Sequence, residues 1–186
     1  MTRIITGHAK GRRLHAPAGD ATRPTGARVK QTLFDILSPR LSGCRFLDAF
    51  AGSGGIGFEA LSRGASRVVL VDTAAPAVAA LRANADLLAG AGGEVRIFRQ
   101  DALVALPALL AAGERFDVVY VDPPYASDLY EPALDACGPL LAEDGVVVAE
   151  HFHKRALPET IGRLARVREV RVGDHRLSFF ARSETA

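Results

Sequence analysis

The sequence predicts an α/β fold, with a largely parallel sheet covered by helices on both faces and finished by an antiparallel hairpin. Three observations carry this expectation. From residue 44 to residue 150, short apolar runs alternate with stretches of helical periodicity. A glycine-rich segment, Gly52-Ser-Gly-Gly-Ile-Gly57, joins the first of those strands to the helix after it. Two β-rich runs near the end of the chain, 164–172 and 175–181, meet at Gly173-Asp174, a hairpin signal.

The elements follow in order. The first fifteen residues read as two short strands about a turn, and 17–26 as a loop. Val29, Leu33, Ile36 and Leu37 recur on one helical face, and Pro39 and Gly43 are expected to end that helix. Strands are predicted at 44–50, 67–71, 94–98, 117–121 and 145–150. Between them come helices at 55–63, along Val78, Leu81, Ala85 and Leu88, at 102–112, and one expected to begin at Pro132.

At 186 residues, 48% hydrophobic and 24% charged, the chain has the makeup of one globular domain. No apolar run approaches the roughly 18 residues that span a bilayer, and the N-terminus lacks a signal-peptide apolar region. A cytoplasmic protein with no membrane partner is therefore expected. Cys44 and Cys137 fit no metal spacing and read as reduced, buried thiols. His151 and His153 share one side of an extended segment, but no third ligand is evident, so no metal is expected. Charge is segregated: residues 1–40 carry net +6, residues 41–153 net −8 and residues 154–186 net +4. Basic ends around an acidic middle suit a polyanionic partner. The chain divides on this pattern into an extension, 1–40, and a main domain, 41–186. No dimerisation signal is evident, and a monomer is expected.

Gly52, Gly54 and Gly57 satisfy G-x-G-x-x-G, and Asp72 ends the next strand twenty residues on. That is the pattern of a dinucleotide fingerprint. Asp48, just before the loop, argues against a pyrophosphate, which it would repel. A cationic ligand such as S-adenosylmethionine, with its ammonium and sulfonium, is compatible with it. Asp101 follows the third strand and is placed to accept from an adenine amine. Acidic residues at three successive strand ends fall where open α/β sheets bind ligands.

Asp122-Pro123-Pro124-Tyr125 follows the apolar run 116–121. The carboxylate can accept from an exocyclic amine. The prolines fix the backbone and leave carbonyl acceptors without N–H donors. The tyrosine can stack on a flat base. Together they suit methyl transfer to a nucleobase amino group. Guanine N2, adenine N6 and cytosine N4 all fit this chemistry. A nicotinamide-dependent oxidoreductase must explain Asp48 and the clamp. A non-catalytic RNA-binding or assembly factor that keeps an inherited fold predicts instead that Asp122→Ala leaves every activity intact.

The order Asp48-Ala-Phe-Ala-Gly-Ser-Gly54, Asp72, Asp101 and Asp122-Pro-Pro-Tyr125 resembles that of class I S-adenosylmethionine-dependent amino-methyltransferases. Arg3-Ile-Ile-Thr-Gly, Lys10-Gly-Arg-Arg-Leu14, Arg23-Pro-Thr-Gly-Ala-Arg28-Val-Lys-Gln-Thr-Leu-Phe34 and Val172-Gly-Asp-His-Arg-Leu-Ser-Phe179 narrow the likeness. They resemble the bacterial 16S rRNA guanine-N2 methyltransferase family (RsmD-like), over nearly the whole chain. Asp72 stands where that family commonly has Glu, and Gly26-Ala27 where it often has polar residues.

The resemblance implies a Rossmann-like, seven-stranded class I methyltransferase sheet with a small N-terminal β-hairpin. It also implies methylation of guanine-966 in 16S rRNA, within the 30S subunit or an assembly intermediate. S-adenosylmethionine would be held by Asp48, Phe50, Ala51, Gly52, Ser53, Gly54, Asp72, Asp101 and Ala102. The catalytic set would be Asp122, Pro123, Pro124 and Tyr125. Arg3, Lys10, Arg12, Arg13, Arg23, Arg28 and Lys30 are expected to face RNA, with Thr25 and Arg28 as alternatives for the active-site rim.

Overall fold

A computed structural model of the chain describes residues 2–17, 26–124 and 127–183. The order of elements is α1 (Ala27–Leu41), β1 (Arg45–Asp48), α2 (Gly57–Ser62), β2 (Arg67–Asp72), α3 (Ala75–Leu87), β3 (Glu94–Arg99), α4 (Ala102–Ala111) and β4 (Phe116–Val121). Then come α5 (Tyr130–Cys137), β5 (Leu141–Phe152), β6 (Thr160–Ile161), β7 (Leu164–Val172) and β8 (His175–Arg182). The strands form one sheet in the order β3-β2-β1-β4-β5-β8-β7-β6. The pairs among β1 to β5 are parallel, and β8, β7 and β6 are antiparallel additions. The strand order reverses direction beside β1, between β2 and β4, and that switch point is where such sheets bind ligands.

Alternation along the strands decides which helices cover which face. Phe46, Val68, Leu70, Val118, Tyr120 and Val148 join one apolar cluster with residues of α1, α2 and α3. Leu47, Val69, Val71, Val119, Val121 and Val147 join a second with residues of α4 and α5. Both faces of the central strands are thus dry, which is why β2 and β4 read as near-continuous apolar runs, whereas the edge strand β3 is only half-buried.

The structure corrects four expectations. Among the described residues the sheet has eight strands rather than seven, because Thr160–Ile161 adds a two-residue edge to β7 across a turn at Gly162-Arg163. The N-terminal hairpin is shorter than two full strands: it is one antiparallel bridge, Arg3 to Arg13, flanked by Ile4 N donating to the Arg12 carbonyl at 3.0 Å and Leu14 N to the Thr2 carbonyl at 2.9 Å. Four further backbone donors go to α2. Ile5 and Thr6 donate to the Glu59 carboxylate, His8 to the Ser62 carbonyl, and Ala9 to Ser62 Oγ. Pro39 lies inside α1, one turn from its end, where it forfeits a single hydrogen bond. Pro132 is the third residue of α5, still within the first turn, whose N–H groups have no helical acceptor.

Ile4, Leu14, Leu33 and Phe34 are buried in the same cluster as the sheet, so the described N-terminal segment and α1 share its core. Lys30 is 2% exposed and bonds to Glu59 at 2.9 Å and to the Arg3 carbonyl at 3.0 Å. Arg63 pairs with the same carboxylate at 2.9 Å. This buried set pins the N-terminal segment to α1 and α2.

Candidate active site

A cavity of about 430 Å³ opens at the carboxyl ends of β1 to β4. That volume suits a cofactor-sized ligand. Asp48, Phe50, Ala51, Gly52, Ser53, Asp72, Asp101, Ala102, Asp122, Pro123 and Pro124 all line it. Three separate sequence motifs therefore converge on one space. Gly54 lies just behind the lining. Its φ is +78°, and a Cβ there would come within 2.4 Å of the Phe58 ring. A Cβ on Gly57 would meet Leu70 at 2.3 Å, so that glycine lets α2 close onto β2. Tyr125, Arg23 and Thr25 lie outside the described residues.

The three acidic residues do different work. Asp72 ties the glycine loop to β2, accepting from Gly52 N and from Ala74 N, both at 2.8 Å. Asp101 caps α4 by accepting from Leu103 N at 2.8 Å. Both are therefore loop caps as well as cavity-lining groups. Asp48 is buried, and its Oδ1 has no hydrogen-bond partner among the described residues. Burial pushes its carboxyl up to about 7, against the backbone N–H groups of Phe50 and Gly57 and with the charges of Asp72 and Glu150 adding to the rise. An unsatisfied buried acceptor beside a cavity is costly. A cationic group would relieve that cost, whereas a pyrophosphate would add to it. These residues therefore fit S-adenosylmethionine and disfavour a nicotinamide dinucleotide.

Asp122 follows β4, half-buried, with Pro123 buried and Pro124 exposed. Burial first, then the charges of Glu150 and Asp48, hold its carboxyl well above the usual carboxylate range. Glu150, near the end of β5, is fully buried. Tyr120 Oη donates to Glu150 Oε2, and His175 Nδ1 lies 2.9 Å from Glu150 Oε1. The sheet thus carries a carboxylate set, with Asp48 and Glu150 buried and Asp122 half-buried, from β1 to β5.

Sequence reasoning missed several residues. Thr2, His15 and Pro17 bring the N-terminal segment to the cavity wall, and Gln100 and Leu129 complete it. Asn84, fully buried on α3, accepts from His15 N at 2.7 Å and donates to the carbonyls of His15 and Ser53, each at 3.0 Å. It fastens the N-terminal segment to the glycine loop. The available signal was its place one turn past Leu81 on the apolar face of α3.

Arg3, Lys10, Arg12, Arg13 and Arg28 are exposed. Lys30 is a correction to the expected RNA-facing set, since its ammonium is spent on Glu59. His151 bonds through Nε2 to Ser178 Oγ at 2.9 Å, and His153 through Nδ1 to the Asp174 carbonyl at 3.0 Å. Among the described residues no group of three His, Cys, Asp or Glu is arranged to hold a metal ion. No helix among them is long and apolar enough to cross a membrane.

Comparison with known proteins bears on this site. Residues 2–181 match the family described as "Conserved hypothetical protein 95". YlbH of Bacillus subtilis (strain 168) is 39% identical over 173 residues, which cover 92% of this chain and 94% of that protein. The Escherichia coli K12 protein named "Ribosomal RNA small subunit methyltransferase D" is 34% identical over 158 residues, 84% of this chain and 77% of its own length. Among solved structures, the hypothetical protein TTHA0928 of Thermus thermophilus superposes with a TM-score of 0.81 at 35% identity, covering 98% of this chain and all of that one. The family match spans nearly the whole chain, and relatives named for this activity align over most of it; the chain belongs to the ribosomal RNA small subunit methyltransferase D (RsmD) family.

Proposed function

We propose that this protein transfers a methyl group from S-adenosylmethionine to the exocyclic N2 of a guanine in 16S rRNA, in the small subunit or an assembly intermediate of it. The observation that carries the reading is the single cavity shared by the orphaned Asp48 carboxylate oxygen and the Asp122-Pro123-Pro124 turn. S-adenosylmethionine supplies the methyl group as a sulfonium. Asp48 would hold its ammonium, Asp72 its ribose hydroxyls and Asp101 its adenine amine, with the glycine loop and Phe50 around them.

The chain's own residues act on the base. An aromatic amine is a poor nucleophile because its lone pair is conjugated into the ring. Asp122 and the Pro123 carbonyl accept its two N–H bonds and favour a tetrahedral nitrogen whose lone pair is free. Positioning then carries much of the rate. As the bond from nitrogen to the methyl carbon forms, the bond from that carbon to sulfur breaks and the nitrogen must lose one proton; Asp122, with its raised affinity for protons, is suited to receive it. Tyr125 stacks on the base, which must be unpaired or flipped out to enter. The extension 1–40 serves RNA: Arg3, Lys10, Arg12, Arg13, Arg23 and Arg28 contact phosphates, so that binding weakens with salt.

The test is to supply labelled S-adenosylmethionine and unmodified small subunits, then digest the RNA to nucleosides. Label in N2-methylguanosine is the expected product. Label in N6-methyladenosine or N4-methylcytidine would overturn the base assignment, and no label in any RNA would overturn the enzymatic reading.

A further inference from the structure

Phe152 is the one exposed large aromatic among the described residues, 38% accessible at the last position of β5. β4 and β5 run side by side, with Val121 paired to Ala149, so Pro124 and Phe152 follow the same matched pair by three residues at the carboxyl ends of neighbouring strands. Phe152 is still held in the sheet there, paired with His175 of β8. The two loops are also tied directly. Arg155 donates from Nη2 to the Ser127 carbonyl at 3.0 Å and lies 4.7 Å over the Tyr130 ring. Ser127 in turn donates from N to the Pro124 carbonyl at 2.9 Å.

The aromatic surface is built, not loose. The His153 ring packs against Phe152 with centroids 4.5 Å apart. His153 is fixed by its backbone N–H, 2.7 Å from the Asp174 carbonyl, and by its Nδ1 on the same oxygen. The Asp174 carboxylate stands 3.8 Å from that nitrogen. Lys154, exposed, follows in the chain. A held aromatic pair with an adjoining ammonium has the chemistry of a single-stranded nucleic-acid platform: a π-face for a base and a cation for its phosphate.

We infer that Phe152 and His153 form a stacking platform for an unpaired nucleotide flanking the methylated one, with Lys154 on its phosphate. This rests on the reading of the substrate as RNA and names a surface that the charge pattern of the first 40 residues does not include. A target base drawn into the clamp leaves its neighbour unstacked, and the platform supplies the lost contact. Stacked aromatic contacts to bases are sequence-tolerant, so the platform contributes affinity and register rather than base choice.

The experiment compares wild type, Phe152→Ala, Phe152→Tyr and Phe152→Leu for binding to a fluorescent single-stranded RNA and to unmodified small subunits. S-adenosylmethionine affinity and thermal unfolding are measured alongside. Phe152→Ala is expected to weaken RNA binding about 5- to 150-fold. Phe152→Tyr should keep wild-type binding and Phe152→Leu should not. Cofactor affinity and unfolding should be unchanged throughout. RNA binding within twofold of wild type in Phe152→Ala, or full retention in Phe152→Leu, would overturn the platform. Failure of the wild type to methylate any RNA would instead overturn the proposed function, because the binding measurement reads the platform without methyl transfer.

Discussion

Replacing Glu59 by Gln should unpin the N-terminal segment and destabilise the whole fold. The Glu59 carboxylate is 0% exposed and accepts from Ile5 N at 2.8 Å, Thr6 N at 2.9 Å, Lys30 Nζ at 2.9 Å and Arg63 Nε at 2.9 Å. Glutamine keeps one acceptor oxygen but turns an NH₂ toward donors, and it leaves the Lys30 ammonium buried without a counter-charge. Removing one member of a buried pair costs about 3–5 kcal/mol. For a chain of this size that is roughly 6–20 °C in Tm. The loss should appear in urea unfolding followed by circular dichroism, and proteolysis should cut residues 2–17 first. Lys30→Met/Glu59→Gln should recover much of the loss, since an apolar stem tolerates the site that a bare ammonium does not. A loss below about 1 kcal/mol in Glu59→Gln would refute the argument that this cluster holds the segment. The pH dependence has a definite sign. Burial alone would raise the Glu59 pKa, but the Lys30 charge, the Ile5 N–H and the bonds from Lys30 and Arg63 outweigh it and hold the group low. Its contribution is therefore complete above the unfolded-state value of about 4.3 and is lost as pH falls through the lower folded value.

Three further predictions concern the cavity. Asp48, raised to about 7, binds a proton in the fold over a window where the unfolded chain, at about 3.9, does not, so cofactor-free stability should fall as pH rises through it. Asp48→Asn should remove that slope, be more stable than wild type at pH 8 without cofactor, and bind S-adenosylmethionine at least about tenfold more weakly by calorimetry. Methyl transfer should lose rate as pH drops through the raised value of Asp122, giving an acid limb above the ordinary carboxylate range that a pH profile of kcat/KM would reveal. Asn84→Ala strips partners from His15 and from the Ser53 carbonyl of the glycine loop, and calorimetry should show cofactor affinity down by about tenfold.

Much of the fold was legible because its signals are local. The runs at 67–71 and 94–98 became strands within one residue of those bounds, and Gly173-Asp174 made the β7–β8 hairpin. The two-residue β6 escaped because a pair of strand residues has no periodicity to read. The cavity residues were legible because strand-end acidic residues in a parallel sheet share one edge by topology. Lys30 was misread for the opposite reason. Its counter-ion lies far along the chain on another helix, and only its place in the helical period with Phe34 and Leu37 hinted that it faces inward. Asn84 and Glu150 escaped similarly. Each is a polar residue ending an apolar face, and its role depends on partners, Ser53 and Tyr120, that only the folded chain supplies.

The most direct test of the central claim is methyl transfer to unmodified small subunits by wild type and by Asp122→Ala, with S-adenosylmethionine affinity measured for both. Label on one guanine is expected with wild type, with a rate lower by at least about a hundredfold in the variant and cofactor affinity retained in both. Undiminished transfer by Asp122→Ala, with the cofactor bound, would contradict the clamp as the seat of the chemistry.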